Sequence, residues 1–242
     1  MTDQVAISED GEDEHDPYLE LLAEIGRTKE LDRRVALHES GHAICSRLTT
    51  GDCSSISSVT ITPADSYEGQ CRGARREAFV RGGVTAVDAV DASHVRKILQ
   101  PLMPKPGEDR SDKADIYQNV LDACTQLMAG EAAEELLLEG EASFASDDRR
   151  QVMELAALIC KTPQAVAAFT TFCKQQALDM LSEYVGVLMS LSIVLKIRRE
   201  LTGEEIDDVI ATTLARFELA TERVRRKRWE GVIENAARLV AD

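Results

Sequence analysis

Aromatic side chains are scarce in this chain of 242 residues, at 4% with a single tryptophan, and Leu, Ala and Val carry the apolar load instead. That bias favours helices over sheets, because unbranched side chains keep their rotamers in a helix while aromatic and β-branched ones suit a pleated surface. Positive charge is also short: 28 Lys and Arg stand against 43 Asp and Glu, giving a net charge of -15. Such a surface repels phosphate backbones and anionic lipids, which argues against nucleic acid and membrane surfaces as main partners. The local exception, Arg223, Arg225, Arg226, Lys227 and Arg228, reads as a solvated basic face of a helix. No apolar run reaches the ~20 residues that a membrane-spanning helix needs. The most apolar stretch, Tyr184 to Ile197, follows Asp179 and Glu183, is closed by Lys196, Arg198 and Arg199, and reads as a buried core helix. None of the six cysteines forms a Cys-x-x-Cys pair, and the N-terminus lacks a basic segment followed by an apolar one. The expectation is a reduced, cytoplasmic protein without a secretory signal.

The chain divides by composition. Residues 1–16 include Asp3, Glu9, Asp10, Glu12, Asp13, Glu14 and Asp16 and read as a disordered acidic tail. Residues 17–242 read as one domain. A short helix is expected after Pro17, ended by Gly26, and a longer one after the N-cap Thr28, ended by Gly51. Residues 56–62, Ile-Ser-Ser-Val-Thr-Ile-Thr, alternate and are rich in β-branched side chains, a strand signal, and a weaker strand is expected around Gly69 to Arg72. Residues 74–111 read as a loop-rich insertion with one short helix near Ala89 to Leu99. Ser111 is placed to cap a long helix running to about Glu139. Further helices are expected from Asp147 to before Pro163, from Thr162-Pro163 onward, and through a C-terminal extension at 207–242, with a break at Thr202-Gly203. The fold class is therefore mainly α, with a small β-sheet beside the helix that follows Thr28.

That helix carries the chemistry. Leu31, Val35, His38, His42 and Cys45 recur at spacings of four and three and form one inward stripe. Within it stands His38-Glu39-Ser40-Gly41-His42. Residues i and i+4 lie one turn apart on the same face, so both imidazoles can reach one zinc ion, and Glu39 sits beside that face as a general base. Two imidazoles on an inward stripe are costly unless they have partners, and these are two of only four histidines in the chain. A catalytic zinc needs a third protein ligand. His15 and His94 are poorly placed and Cys45 would crowd the same helix face, which leaves Glu134, Glu135, Asp147 and Asp148.

The segment Val35 to Ala43 resembles the His-Glu-Ala-Gly-His-Ala signature of the FtsH-type zinc metallopeptidases. Four further segments follow in that family's order. Ser58 to Pro63 is similar to its Lys-Val-Thr-Ile-x-Pro strand. Ala129 to Leu136, with Gly130 and Ala133-Glu134-Glu135, is similar to its Gly-Gly-Arg-x-Ala-Glu-Glu helix. Ala145-Ser146-Asp147-Asp148 is similar to its Ala-Ser-Asn-Asp-Leu segment, and Leu201 to Ile206 matches its closing segment. The resemblance spans most of residues 30–206. It implies zinc held by His38, His42 and Asp148, with Glu39 as the catalytic base. It also implies that Glu134 or Glu135 orients a ligand imidazole, and that the strand near Gly69 to Arg72 holds an extended substrate by edge pairing. The chain also departs from the family. Only about 30 residues stand before the zinc helix, where the family carries a membrane anchor and an ATPase module, and they hold no Gly-x-x-x-x-Gly-Lys-Ser/Thr phosphate loop. Its region from 74 to 111 is longer. Glu131 stands where the family has arginine, and Arg149 where it has leucine.

The expected function is a zinc-dependent endopeptidase that cuts flexible or unfolded polypeptides without ATP. The alternative is a non-catalytic zinc-binding module that interacts with other proteins or with an ATPase-bearing peptidase. The partners that fit are a polypeptide substrate, a separate ATPase that would feed it, and further copies of the chain in a homo-oligomer.

Overall fold

The computed structural model of the protein describes residues 16–64, 68–73, 97, 100–103, 105, 114–139 and 145–241. The acidic tail up to residue 15, His15, His94, the Ser111 cap, Gly140 and nearly all of the 74–111 insertion with its expected helix lie outside them.

Local chemistry places the first helices. α1 (Pro17–Glu24) begins at Asp16, whose carboxylate accepts the backbone N–H of Tyr18, and has Pro17 in its first turn. α2 (Lys29–Thr50) begins at Thr28, whose hydroxyl oxygen accepts from the Leu31 N–H, and ends at Gly51 in the left-handed region with φ 92°. β1 (Ile56–Thr60) and β2 (Gln70–Gly73) pair antiparallel, with Val59 opposite Cys71 and Thr60 opposite Gln70. A short turn of tighter helix follows at Gln100–Leu102. Then come α3 (Ala114–Leu137), α4 (Ala145–Ile159), α5 (Pro163–Ser182, capped by the Thr162 hydroxyl) and α6 (Val185–Arg198). β3 (Glu200–Thr202) adds to β1, so the sheet order is β2-β1-β3, and α7 (Gly203–Ala241) closes the chain as one helix of 39 residues. The fold is mainly helical with a small antiparallel sheet.

α2 is the central element. Ala36, Ala43, Ile44 and Cys45 are fully buried in one apolar cluster with Val120 and Met128 of α3, Leu188, Leu191 and Leu195 of α6, and Val59 of β1. The approach of α3 to α2 depends on two glycines. A Cβ at Gly41 would lie 2.4 Å from the Ala129 carbonyl oxygen, and one at Gly130 would lie 2.5 Å from the His38 imidazole. The glycine inside the motif thus lets the two backbones touch where the histidines stand.

A buried charge network fixes the N-terminal end of α2. Asp32, fully buried, accepts from Arg27 (3.1 Å), from both terminal nitrogens of Arg199 (2.7 and 2.9 Å) and from the Tyr18 hydroxyl (2.9 Å). Arg27 and Arg199 also donate to the Ile61 carbonyl beyond β1, which ties the sheet to α1 and α2.

Three sequence expectations need adjustment. The first strand stops at Thr60, not at residue 62: the Ile61 N–H still bonds the Arg199 carbonyl, but Arg199 is left-handed and its own N–H returns to the Leu195 carbonyl, so the ladder ends there. The break at Thr202-Gly203 is the end of a third strand. The apolar stretch from Tyr184 to Ile197 buries one face only: Leu188, Leu191 and Leu195 are in the core, while Met189, Ile193 and Ile197 are exposed. Among the described residues no single helix is long and apolar enough to cross a membrane, and α5 and α6 are bent by 88° at the break between them.

Candidate metal centre

His38 and His42 project from the middle of α2 towards the first turn of α4. Their Nε2 atoms lie 3.1 Å apart, and Asp148 Oδ2 lies 3.1 Å from the first and 3.4 Å from the second. The three residues form a group that could hold a metal ion. Atoms bound tetrahedrally at about 2.0–2.1 Å stand about 3.3–3.4 Å from one another, so the spacing fits an ion the size of zinc.

The hydrogen-bond partners define the protonation. His42 Nδ1 lies 2.8 Å from the Gln126 carbonyl oxygen, which only accepts, so Nδ1 carries the proton. His38 Nδ1 lies 2.8 Å from a carboxylate oxygen of Glu134, with the same consequence. Both Nε2 atoms therefore present lone pairs towards each other and towards a carboxylate oxygen. Three acceptors converging without a donor need a cation among them. Absent a metal, a proton takes that part. Burial pushes the His38 imidazolium down, but the Asp148 and Glu134 carboxylates outweigh it and raise its pKa to about 10. Burial would raise the Asp148 carboxyl, yet the two imidazoles hold it well below the ordinary carboxylate range.

Glu39 is buried beside the trio. Burial raises its pKa, the two histidines oppose this, and the Cys71 backbone N–H donates to its carboxylate. β2 reaches this position because residue 69 is glycine: a Cβ there would lie 2.8 Å from Glu39 Oε1 and 2.6 Å from Val35 Cγ1. The catalytic-base candidate is thus clamped between its own helix and an edge strand.

Around the trio the structure separates neighbours that the sequence leaves equivalent. Glu134, 1% exposed, holds His38 and also accepts from Arg34 at 2.8 Å, whereas Glu135 faces outward and pairs with Lys174. Asp148 faces the histidines, whereas Asp147 bonds Arg150 and Gln151 on its own helix. Cys45 is fully buried in the core cluster and takes no part in the group. Sequence reasoning missed Arg34 and the Gln126 carbonyl. Arg34 lies one turn before His38, a spacing that could have flagged it; nothing in a sequence flags a backbone carbonyl. A cavity of about 1370 Å³ lies on the other side of α3 and α4, walled by Met128, Met153, Val166 and the Glu131–Arg149–Lys174 ion pairs, and none of the three donors lines it.

No family model and no curated protein matches this chain.

Proposed function

We propose that the protein is a zinc-dependent endopeptidase of the FtsH type, with His38, His42 and Asp148 holding the ion and Glu39 handling the proton. The observation that carries this reading is the convergence of two imidazole lone pairs and one carboxylate oxygen at 3.1–3.4 Å, with a buried carboxylate beside them. Zinc held there supplies Lewis acidity, polarising a substrate carbonyl and making water acidic enough to attack near neutral pH.

The chain's own residues do the rest. Glu39 accepts a proton from the attacking water and delivers it to the departing amine; a mere binding site has no need of this group. Glu134 and the Gln126 carbonyl keep the imidazoles in the tautomer that offers Nε2, as acceptors behind metal-binding histidines do. β2 is an edge strand of the sheet among the described residues and packs against Glu39, so an extended polypeptide added to its outer edge would run past the proton carrier. The substrate class is accordingly a flexible or unfolded chain.

The test is removal and return of the metal. Chelator-treated protein is expected to lose hydrolysis of a casein-like substrate and to regain it with one equivalent of zinc. Hydrolysis that persists in metal-free protein would overturn the proposal.

A further inference from the structure

Asp148 reaches the histidines from a different helix, so something must fix the first turn of α4 against α3. Asp147 does not: it turns back to Arg150 and Gln151 of its own helix. Arg149 reaches across. Its Nε and Nη2 each donate to a different oxygen of Glu131 on α3, both at 2.6 Å, in a two-pronged pair. Glu131 is 2% exposed, and Lys174 of α5 meets the same carboxylate at 2.7 Å. Burial raises the Glu131 carboxyl, but Arg149 and Lys174 outweigh it and keep it charged.

The positions of the two partners matter more than their strength. Arg149 directly follows Asp148. Glu131 directly follows Gly130, whose Cα lies against the His38 ring. The pair therefore closes a loop of neighbours, from Asp148 through Arg149, Glu131 and Gly130 to His38, and spans the same gap as the donors themselves. These are also two of the positions where the chain differs from the FtsH-type pattern, and here the two differences face each other as an ion pair.

We infer that Arg149 is a positioning residue for the metal centre: clasped by Glu131, it holds Asp148 Oδ2 at coordinating distance from His38 and His42. The inference rests on the metal reading above, though not on peptide hydrolysis. Its sign separates it from plain electrostatics. Arg149 is a cation beside a cation site, so by Coulomb's law alone its removal would tighten metal binding. Loss of positioning loosens it, and outer partners of metal ligands typically change affinity by about 10–100-fold.

The experiment is a zinc competition titration against a chelating dye, with wild type, Arg149→Ala, Arg149→Lys and Arg150→Ala. Arg150 is the control, because it pairs with Asp147 and Glu154 within its own helix. Arg149→Ala is expected to bind zinc about 10–100-fold more weakly. Arg149→Lys, which keeps one prong, should fall in between, and Arg150→Ala should match wild type. Glu131 keeps Lys174 as a cationic partner, so Arg149→Ala should still fold, and the melting curve of the metal-free variant measures how far lost folding contributes. The cobalt(II) absorption spectrum of that variant should shift, as expected for a displaced oxygen ligand. Zinc binding by Arg149→Ala equal to or tighter than wild type, or weakened only in step with lost folding, overturns the inference and leaves the metal reading intact. Wild type that takes up no zinc overturns both.

Discussion

At the scale of single residues the site rests on contacts with no slack. Gly130 touches the imidazole of His38, and the added Cβ of an alanine would lie 2.5 Å from two of its ring atoms. Neither side can yield easily: α3 is held by the core and His38 is held by Glu134. Gly130→Ala is therefore expected to keep the helical circular dichroism signal but to lose zinc in a metal analysis of the purified variant. A variant that retains full zinc would mean that His38 sits elsewhere. The sequence made the histidines and Glu39 legible because helix geometry is local: four residues make one turn in any helix. It could not decide between Glu134 and Glu135, or between Asp147 and Asp148, from the residues alone. Adjacent residues on one helix differ only in direction, and direction is set by which neighbour packs where.

At the scale of elements the same division appears. Thr28, Gly51 and Thr162-Pro163 are legible helix boundaries because a cap is satisfied within a few residues. β3 was not legible: three residues carry no periodicity, and they are a strand only because β1 pairs with them. The Asp32 network is equally hidden, since Arg199 meets Asp32 from 167 positions away. Its energetics are testable. Burial raises the Asp32 carboxyl, but hydrogen bonds from Arg199, Tyr18 and Arg27 hold it below its ordinary value of 3.8. A depressed acid lends stability that is present above its unfolded pKa and is lost as pH falls through the folded one. Urea titrations of wild type and Asp32→Asn should therefore differ most at pH 7. Two guanidinium groups lose their buried anion there, at a cost on the order of 3–5 kcal/mol. The gap should narrow as pH drops below about 4. A gap that stays constant down to pH 2 would remove Asp32 ionisation from the stability of the fold.

At the scale of the whole molecule, the sheet and α4 bring an edge strand and the Asp148 carboxylate to the middle of α2, beside His38, Glu39 and His42, and none of these parts is a motor. Opening a stable folded domain costs on the order of 5–15 kcal/mol. The protein alone is therefore expected to digest a casein-like chain and to leave a tightly folded domain intact, with or without ATP. ATP-stimulated digestion of the folded domain by the pure protein would contradict this, and stimulation only after a separate ATPase is added would identify a feeding partner. The central claim is that these residues form a working zinc peptidase, and one paired measurement on wild type and Glu39→Gln tests it most directly: zinc content and casein hydrolysis in the same preparation. Both proteins should carry one zinc per chain, with hydrolysis at least ~100-fold slower in the variant. Equal turnover in the two would contradict the mechanism, and zinc-loaded wild type that cuts no flexible substrate would make the centre a binding module instead of a peptidase.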